Sequence, residues 1–297
     1  MLNDAHCHFF STAFFGQLAL QRGRGQAPAE LCAELDWDDP GTPGELADRW
    51  VRELDAHDVG RAAVIASVPG DESSVAAAVA RHPSRLVGYF MVNASADDAV
   101  TRTRAALREQ NLKAVCLFPA MHHVPLDDPR TLAVVKEAAD LGGAVFVHCG
   151  ALSIGVRKKL GLPSPFDLRL GDPLAVARLA ARFTATPFIV PHFGAGFFRE
   201  ALMAADTCPN VHLDTSSSNG WMRYQPGLTL AEVFRATLAV TGPSRILFGT
   251  DSSFFPRGWQ RPVFERQSTA LDEARVSAAD RDLILGGNFN RLFGGRS

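Results

Sequence analysis

The chain has few lysines, no paired-cysteine motif and no excess of charge in either sign. Four lysines (Lys113, Lys136, Lys158 and Lys159) stand among 30 basic residues, so arginine supplies nearly all the positive charge. Against 32 acidic residues the formal net charge is −2, which excludes an extended nucleic-acid or membrane-surface footprint. No apolar run approaches the roughly 18 residues that a membrane-spanning helix needs. The five cysteines, Cys7, Cys32, Cys116, Cys149 and Cys208, are odd in number and contain no CxxC, so they read as reduced thiols in a reducing compartment. Strand character begins at Leu2 and leaves no space for a signal peptide, so a cytoplasmic location is expected.

What is present is enough apolar material for a large core. Of 297 residues, 46% are hydrophobic, long enough for one barrel as well as for two domains. Short unbroken apolar runs occur near Met1–Ala5, Arg61–Ala66, Leu86–Val92, Lys113–Phe118, Ala144–His148, Phe188–Pro191, Val211–Asp214 and Arg245–Gly249. Helical patterns with start and stop signals lie between them, the clearest opening at Thr42-Pro43-Gly44-Glu45 with an N-cap, a first-turn proline and a capping-box glutamate. Continuous apolar strands are buried on both faces, as in parallel sheets. Eight strand–helix repeats predict an α/β protein of the (β/α)8 TIM-barrel class, a single domain over residues 1–297 with C-terminal helices. An open doubly wound sheet is the alternative, but the turn after its first strand should be glycine-rich and here reads His6-Cys7-His8. Two stretches, Phe9–Asp39 and Gly150–Gly171, are expected to be irregular, the first as a functional loop.

Barrel active sites are built at the C-terminal ends of the strands, so the polar residues there are the candidates. Strand one carries His6 and His8, two apart and therefore on one face. Strand five ends in His148, strand six in His192-Phe193-Gly194, strand seven in Asp214 and strand eight in Asp251. One such histidine is commonly a hydrogen-bonded core residue. Four histidines and an aspartate at one rim instead suggest a first-row metal site. Other histidines have plainer readings: His57 ends a helix, His82 sits in a His-Pro turn, His212 lies inside a strand, and His122 and His123 form a solvated pair.

These residues resemble the amidohydrolase superfamily, and within it the amidohydrolase-related branch that includes aminocarboxymuconate semialdehyde decarboxylase. The matching positions are Asp4-x-His6-x-His8, His148, His192-Phe-Gly and Phe248-Gly-Thr-Asp251, with Pro125-Leu-Asp-Asp-Pro129 and Gly287-Asn288-Phe-Asn-Arg-Leu-Phe293. The resemblance implies that His6, His8, His148 and Asp251 hold one divalent metal and that His192 is the catalytic acid or base, with Asp251 sharing the proton transfers. Many superfamily members bridge two metals with a modified lysine at the end of strand four. Here that strand ends Cys116-Leu117-Phe118 and Lys113 lies at its start, so one metal is expected. Zinc is the first expectation, and manganese or iron suit the same ligands. Such an ion lowers the pKa of a water towards about 7 or polarises a carbonyl.

The loops suggest the substrate. Arg157, Lys158, Lys159 and Arg169 make the segment after strand five basic, with Asp167 as its only acid, and suit a substrate carboxylate. Trp221, Arg223 and Tyr224, then Phe254, Phe255, Arg257 and Trp259, are further rim candidates that could wall an apolar pocket. Cys7 points away from its neighbouring histidines and is expected in the core. The expected function is metal-dependent hydrolysis of a small, carboxylate-bearing organic substrate. The alternatives are non-oxidative decarboxylation of an unsaturated or aromatic acid, and a non-enzymatic protein with a structural metal. A small molecule is the expected partner, and a homodimer is compatible with the sequence.

Overall fold

A computed structural model describes residues 1–294. Eight parallel strands follow one another in chain order around one sheet: β1 (Leu2–Phe9), β2 (Val59–Ala66), β3 (Leu86–Met91), β4 (Ala114–Leu117), β5 (Ala144–Val147), β6 (Phe188–Val190), β7 (Val211–Asp214) and β8 (Ile246–Leu247). The segment after β8 closes the ring onto β1. The Ala5 amide donates to Phe248 (2.8 Å), that of His8 to Ser252 (2.6 Å), and that of Asp251 back to His6 (2.9 Å). The expected (β/α)8 barrel forms. The ladder between β7 and β8 is shorter than the apolar run Arg245–Gly249 suggests, since the Gly249 amide turns to Thr215 Oγ1 at 3.3 Å.

The lack of polar alternation in the strands follows from this closure. Ala63, Ile65, Tyr89, Cys116, Phe146 and Ile189 fill the barrel interior. Val64, Phe90, Val115, Val145, Val190 and Leu213, one residue out of phase, face the surrounding helices. The helix Pro43–Ala56 shows how a helix covers that outer face. Thr42 and Glu45 cap its first turn reciprocally, and Leu46, Ala47, Trp50 and Leu54 form its buried stripe. At the opposite end from the strand termini, the last helix, Asn288–Phe293, plugs the barrel with Phe289 and Phe293.

Residues 9–39 are not irregular. They form two helices, α1 (Thr12–Arg22) and α2 (Pro28–Glu34). Ser11 caps α1 by accepting from the Phe14 amide, Gly23 ends it in the left-handed region (φ +69°), and Pro28 opens α2. Together they make a flap with its own small core, in which Phe14, Phe15, Leu18, Leu31, Leu35 and Trp37 meet Val156 and Leu160. Those last two belong to the segment after β5, which carries a short helix, Gly155–Lys159, and a 3-10 turn, Leu168–Gly171. Among the described residues no helix is long and apolar enough to cross a membrane.

Candidate metal centre and active site

The C-terminal rim gathers the chemically able side chains at the mouth of the barrel. β1 presents His6 and His8 to the interior, whereas Cys7 between them is fully buried on the helix side, as strand alternation requires. His6 Nε2 and His8 Nε2 lie 3.4 Å apart, and Asp251 Oδ1 is 3.7 Å from the first and 3.1 Å from the second.

The outer nitrogens of these rings are already engaged, which decides the tautomers. His6 Nδ1 is 2.7 Å from Asp214 Oδ2, an acceptor, so that nitrogen carries the proton. His8 Nδ1 is 2.8 Å from Ser67 Oγ, whose own hydrogen goes to the Ile65 carbonyl at 2.9 Å, so His8 Nδ1 is also the donor. Both Nε2 atoms therefore point lone pairs at each other and at a carboxylate. With both rings neutral, three acceptors face one small volume with no donor among them. Such an arrangement is repulsive unless a cation occupies it, and tautomers fixed from behind are how metal-binding histidines are held. His148, stacked on Phe118 with ring centroids 5.3 Å apart, stands outside the tight group of His6, His8 and Asp251 and carries a buried Nδ1 with no hydrogen-bond partner among the described residues.

The local field favours the same occupant. Burial pushes His148 far below its ordinary value and pushes His8 and His192 down as well, so these rings are neutral and hold lone pairs. Burial alone would raise Asp251, but the adjacent His8 and His6 imidazoles hold it below the ordinary carboxylate range. Burial opposes a charge on His6 too, yet Asp214 raises it above its usual value, which marks a place where positive charge is welcome. Asp251 keeps 31% of its side chain open, so solvent reaches the cluster.

His192 stands behind this group, its ring centroid 5.0 Å from His6 and 5.4 Å from His148. Its Nδ1 is 2.8 Å from Ser216 Oγ and 3.2 Å from the Ser216 carbonyl; the carbonyl can only accept, so the tautomer that satisfies both partners puts the proton on Nδ1 and leaves Nε2 as a base. The backbone that presents it is unusual: His192, Phe193, Gly194, Ala195 and Gly196 all have positive φ. Such strain at non-glycine residues persists only where the surroundings impose it, and it concentrates at functional sites. Gly150 makes room for it, since a Cβ there would fall 2.2 Å from the Gly194 carbonyl oxygen.

Asp4 and Asp214 are the participants that sequence reasoning left without roles. Asp4 Oδ1 accepts from the amides of His6 (2.9 Å) and Thr250 (3.1 Å), while Oδ2 accepts from Thr250 Oγ1 (2.5 Å) and Trp259 Nε1 (2.7 Å). It thus ties the strand bearing His6 to the turn bearing Asp251, whose own φ is +61°. Asp214 was visible as the last residue of strand seven, level with the others, but spacing does not show which ring nitrogen it meets.

The sequence matches the amidohydrolase family over residues 4–295. The chain belongs to the amidohydrolase family. No curated protein matches it. The fold is similar to a dihydroxybenzoic acid decarboxylase from a Polaromonas species, crystallised with manganese and 2-nitroresorcinol (16% identity, 100% of this chain and 98% of that one, TM-score 0.66). It is also similar to a probable 2-pyrone-4,6-dicarboxylic acid hydrolase from Acinetobacter baumannii with bound citric acid (16%, 99% of each chain, 0.62). A third is an amidohydrolase from Burkholderia multivorans with bound zinc (18%, 99% of each chain, 0.64).

In this amidohydrolase the expected pocket residues are spread over different surroundings. Trp221 and Trp259 are buried rather than lining an open wall: Trp221 Nε1 donates to Asn219 Oδ1 (3.0 Å), and Trp259 serves Asp4. Arg157 is committed to the Pro163 carbonyl (2.5 Å), Ser164 Oγ (3.3 Å) and Gln21 Oε1, tying its loop to the flap. Lys158 is exposed, Arg223 lies over the ring of the exposed Tyr224, and Arg169 pairs with Asp167 at 2.7 Å. Phe254 stacks on Trp37 of the flap, with centroids 3.7 Å apart. His122 is not fully solvated. Burial pushes it down to about 4, and it lines a small apolar cavity with Leu117, Phe118 and Leu126. Lys113 is at the start of β4, away from the rim, and donates to Asn111 at 2.5 Å.

Proposed function

We propose that this protein is a metal-dependent hydrolase acting on a small, carboxylate-bearing organic substrate. The observation that carries the reading is the convergence of His6 Nε2, His8 Nε2 and Asp251 Oδ1 as acceptors with no donor among them. His6, His8, His148 and Asp251 would hold one divalent ion, zinc by ligand preference, with manganese or iron(II) suited to the same set. When bound, the ion supplies Lewis acidity, polarising a carbonyl and making a water acidic near neutral pH. Asp214 and Ser67 fix the two β1 imidazoles in the ligating tautomer. His192 Nε2 is positioned to accept a proton and pass it to the leaving group, and Asp251 is the second proton carrier. The partly open Asp251 and the spread of these residues from β1 to beyond β8 suit a catalytic rather than a closed structural site.

Decarboxylation is the second reading, supported by fold similarity to the dihydroxybenzoic acid decarboxylase. It needs an acid to protonate carbon, whereas the partners of His192 Nδ1 leave Nε2 as a base, which suits taking a proton from water first. That favours the hydrolase. A metal-replete assay over lactones, esters and aromatic or muconate-like acids, followed for both proton release and carbon dioxide, tests the choice. Proton release without carbon dioxide, abolished by His192→Ala, is expected. Carbon dioxide from any acid, abolished by the same substitution, would reverse the order.

A further inference from the structure

We propose that Arg257 is the anion-binding group of this site and takes a carboxylate of the substrate through its guanidinium. The inference rests on the function proposed above and deepens it by naming the residue that would recognise the acid. Arg257 follows Asp251 by six residues on the same loop. Two contacts hold its head: Nη2 donates to Oγ of the buried Ser253 at 2.6 Å, and the guanidinium carbon lies 4.4 Å from the centroid of the Phe254 ring. Phe254 is itself clamped on Trp37, which carries Lys159 over its ring at 5.5 Å. The stack therefore joins the flap, the loop after β5 and the loop after β8, and it fixes the arginine at the mouth.

Arg257 has no acid partner among the described residues, whereas Arg22, Arg85, Arg102 and Arg104 pair with Glu34, Asp55, Glu72 and Glu137. Of the arginines without such a pair, it is the one carried on the loop that bears Asp251. Among the described residues no carboxylate lies within ion-pair distance of Arg257, and Ser253 is its one hydrogen-bond partner. The same aromatic stack reaches the candidate ligands: Phe10 lies 6.4 Å from Trp37 and 5.6 Å from the His8 ring between centroids. The guanidinium keeps its proton at any physiological pH and leaves donors free beyond Ser253. A planar fork with free N–H groups matches a carboxylate better than a point charge does. Arg157, the earlier candidate, has its donors taken within its own loop and by Gln21.

The test uses 4-fluorobenzoate and the neutral 4-fluorobenzamide, titrated by fluorine NMR into the full-length protein as purified and again after chelation. In both forms the acid should bind better than the amide. Arg257→Gln should weaken the acid by about 10- to 100-fold while leaving the amide unchanged, the scale for one hydrogen-bonded charge. Arg257→Lys should keep part of the affinity. Thermal unfolding checks that the exposed side chain is replaced without loss of fold. Because the chelated arm reads Arg257 without a metal, its result is separable from failure of the metal-dependent reading, which metal analysis of the same preparations decides. Equal acid binding by Arg257→Gln and the parent protein, or no preference for the acid over the amide, would overturn the proposal.

Discussion

At the scale of single residues, the site works through the partners of each imidazole. His6 and His8 have their Nδ1 protons taken by Asp214 and Ser67, and His192 has its own taken by the Ser216 carbonyl, so each turns a lone pair inward. His192→Ala removes a base without removing a proposed ligand. Activity should fall by about 10²-fold or more with metal content retained, as read by steady-state kinetics and metal analysis of one preparation. Parallel loss of metal would make His192 a ligand. The sequence shows which histidines and aspartates share the rim, because strand ends are legible as the ends of apolar runs. It does not show the hydrogen bonds behind them. Nor does it separate Trp259, turned inward to Asp4, from Phe254, turned to the flap, since both lie in one loop and alternation carries no meaning outside a strand.

At the scale of elements, the strands read clearly because each is apolar on both faces. α1 and α2 did not, although their boundary residues, Ser11, Gly23 and Pro28, are ordinary helix signals. The buried stripe of α1 is Phe14, Phe15, Leu18 and Ala19, but the apolar Ala13 and Leu20 on its exposed side blur the 3.6-residue period. Trp37 is the centre of that core. Trp37→Ala should loosen the flap, costing about 3 kcal/mol locally, and limited proteolysis should then cut between Gly23 and Ala27 faster than in the parent protein. Unchanged cleavage would show that the flap does not depend on the aromatic stack. In β7, burial pushes His212 down to about 4 from an ordinary 6.5. Between those values the unfolded chain binds the extra proton, so stability falls as pH drops from about 6.5 towards 4, by roughly 3 kcal/mol when complete. Thermal unfolding of His212→Gln should therefore decline less steeply over pH 7 to 4.5 than that of the parent. Identical slopes would mean that His212 is already free to ionise in the fold.

At the scale of the whole molecule, the barrel brings together residues as distant in sequence as His6 and Asp251, and the bonds that close it are the ones that set the site. The amides of His8 and Asp251 are themselves in the seam between β1 and the segment after β8. Asp4 adds side-chain bonds across that seam by accepting from the Thr250 amide and hydroxyl. Closure of the fold and assembly of the acceptor cluster are thus one event, which is why a metal here should report on both. The most direct measurement is elemental analysis of the purified protein together with His6→Ala, His148→Ala and Asp251→Asn, each confirmed folded by circular dichroism. About one divalent ion per chain is expected in the parent and a large loss in each variant. Parent-level metal in all three folded variants, or no metal taken up by the parent after incubation with zinc or manganese, would contradict the site.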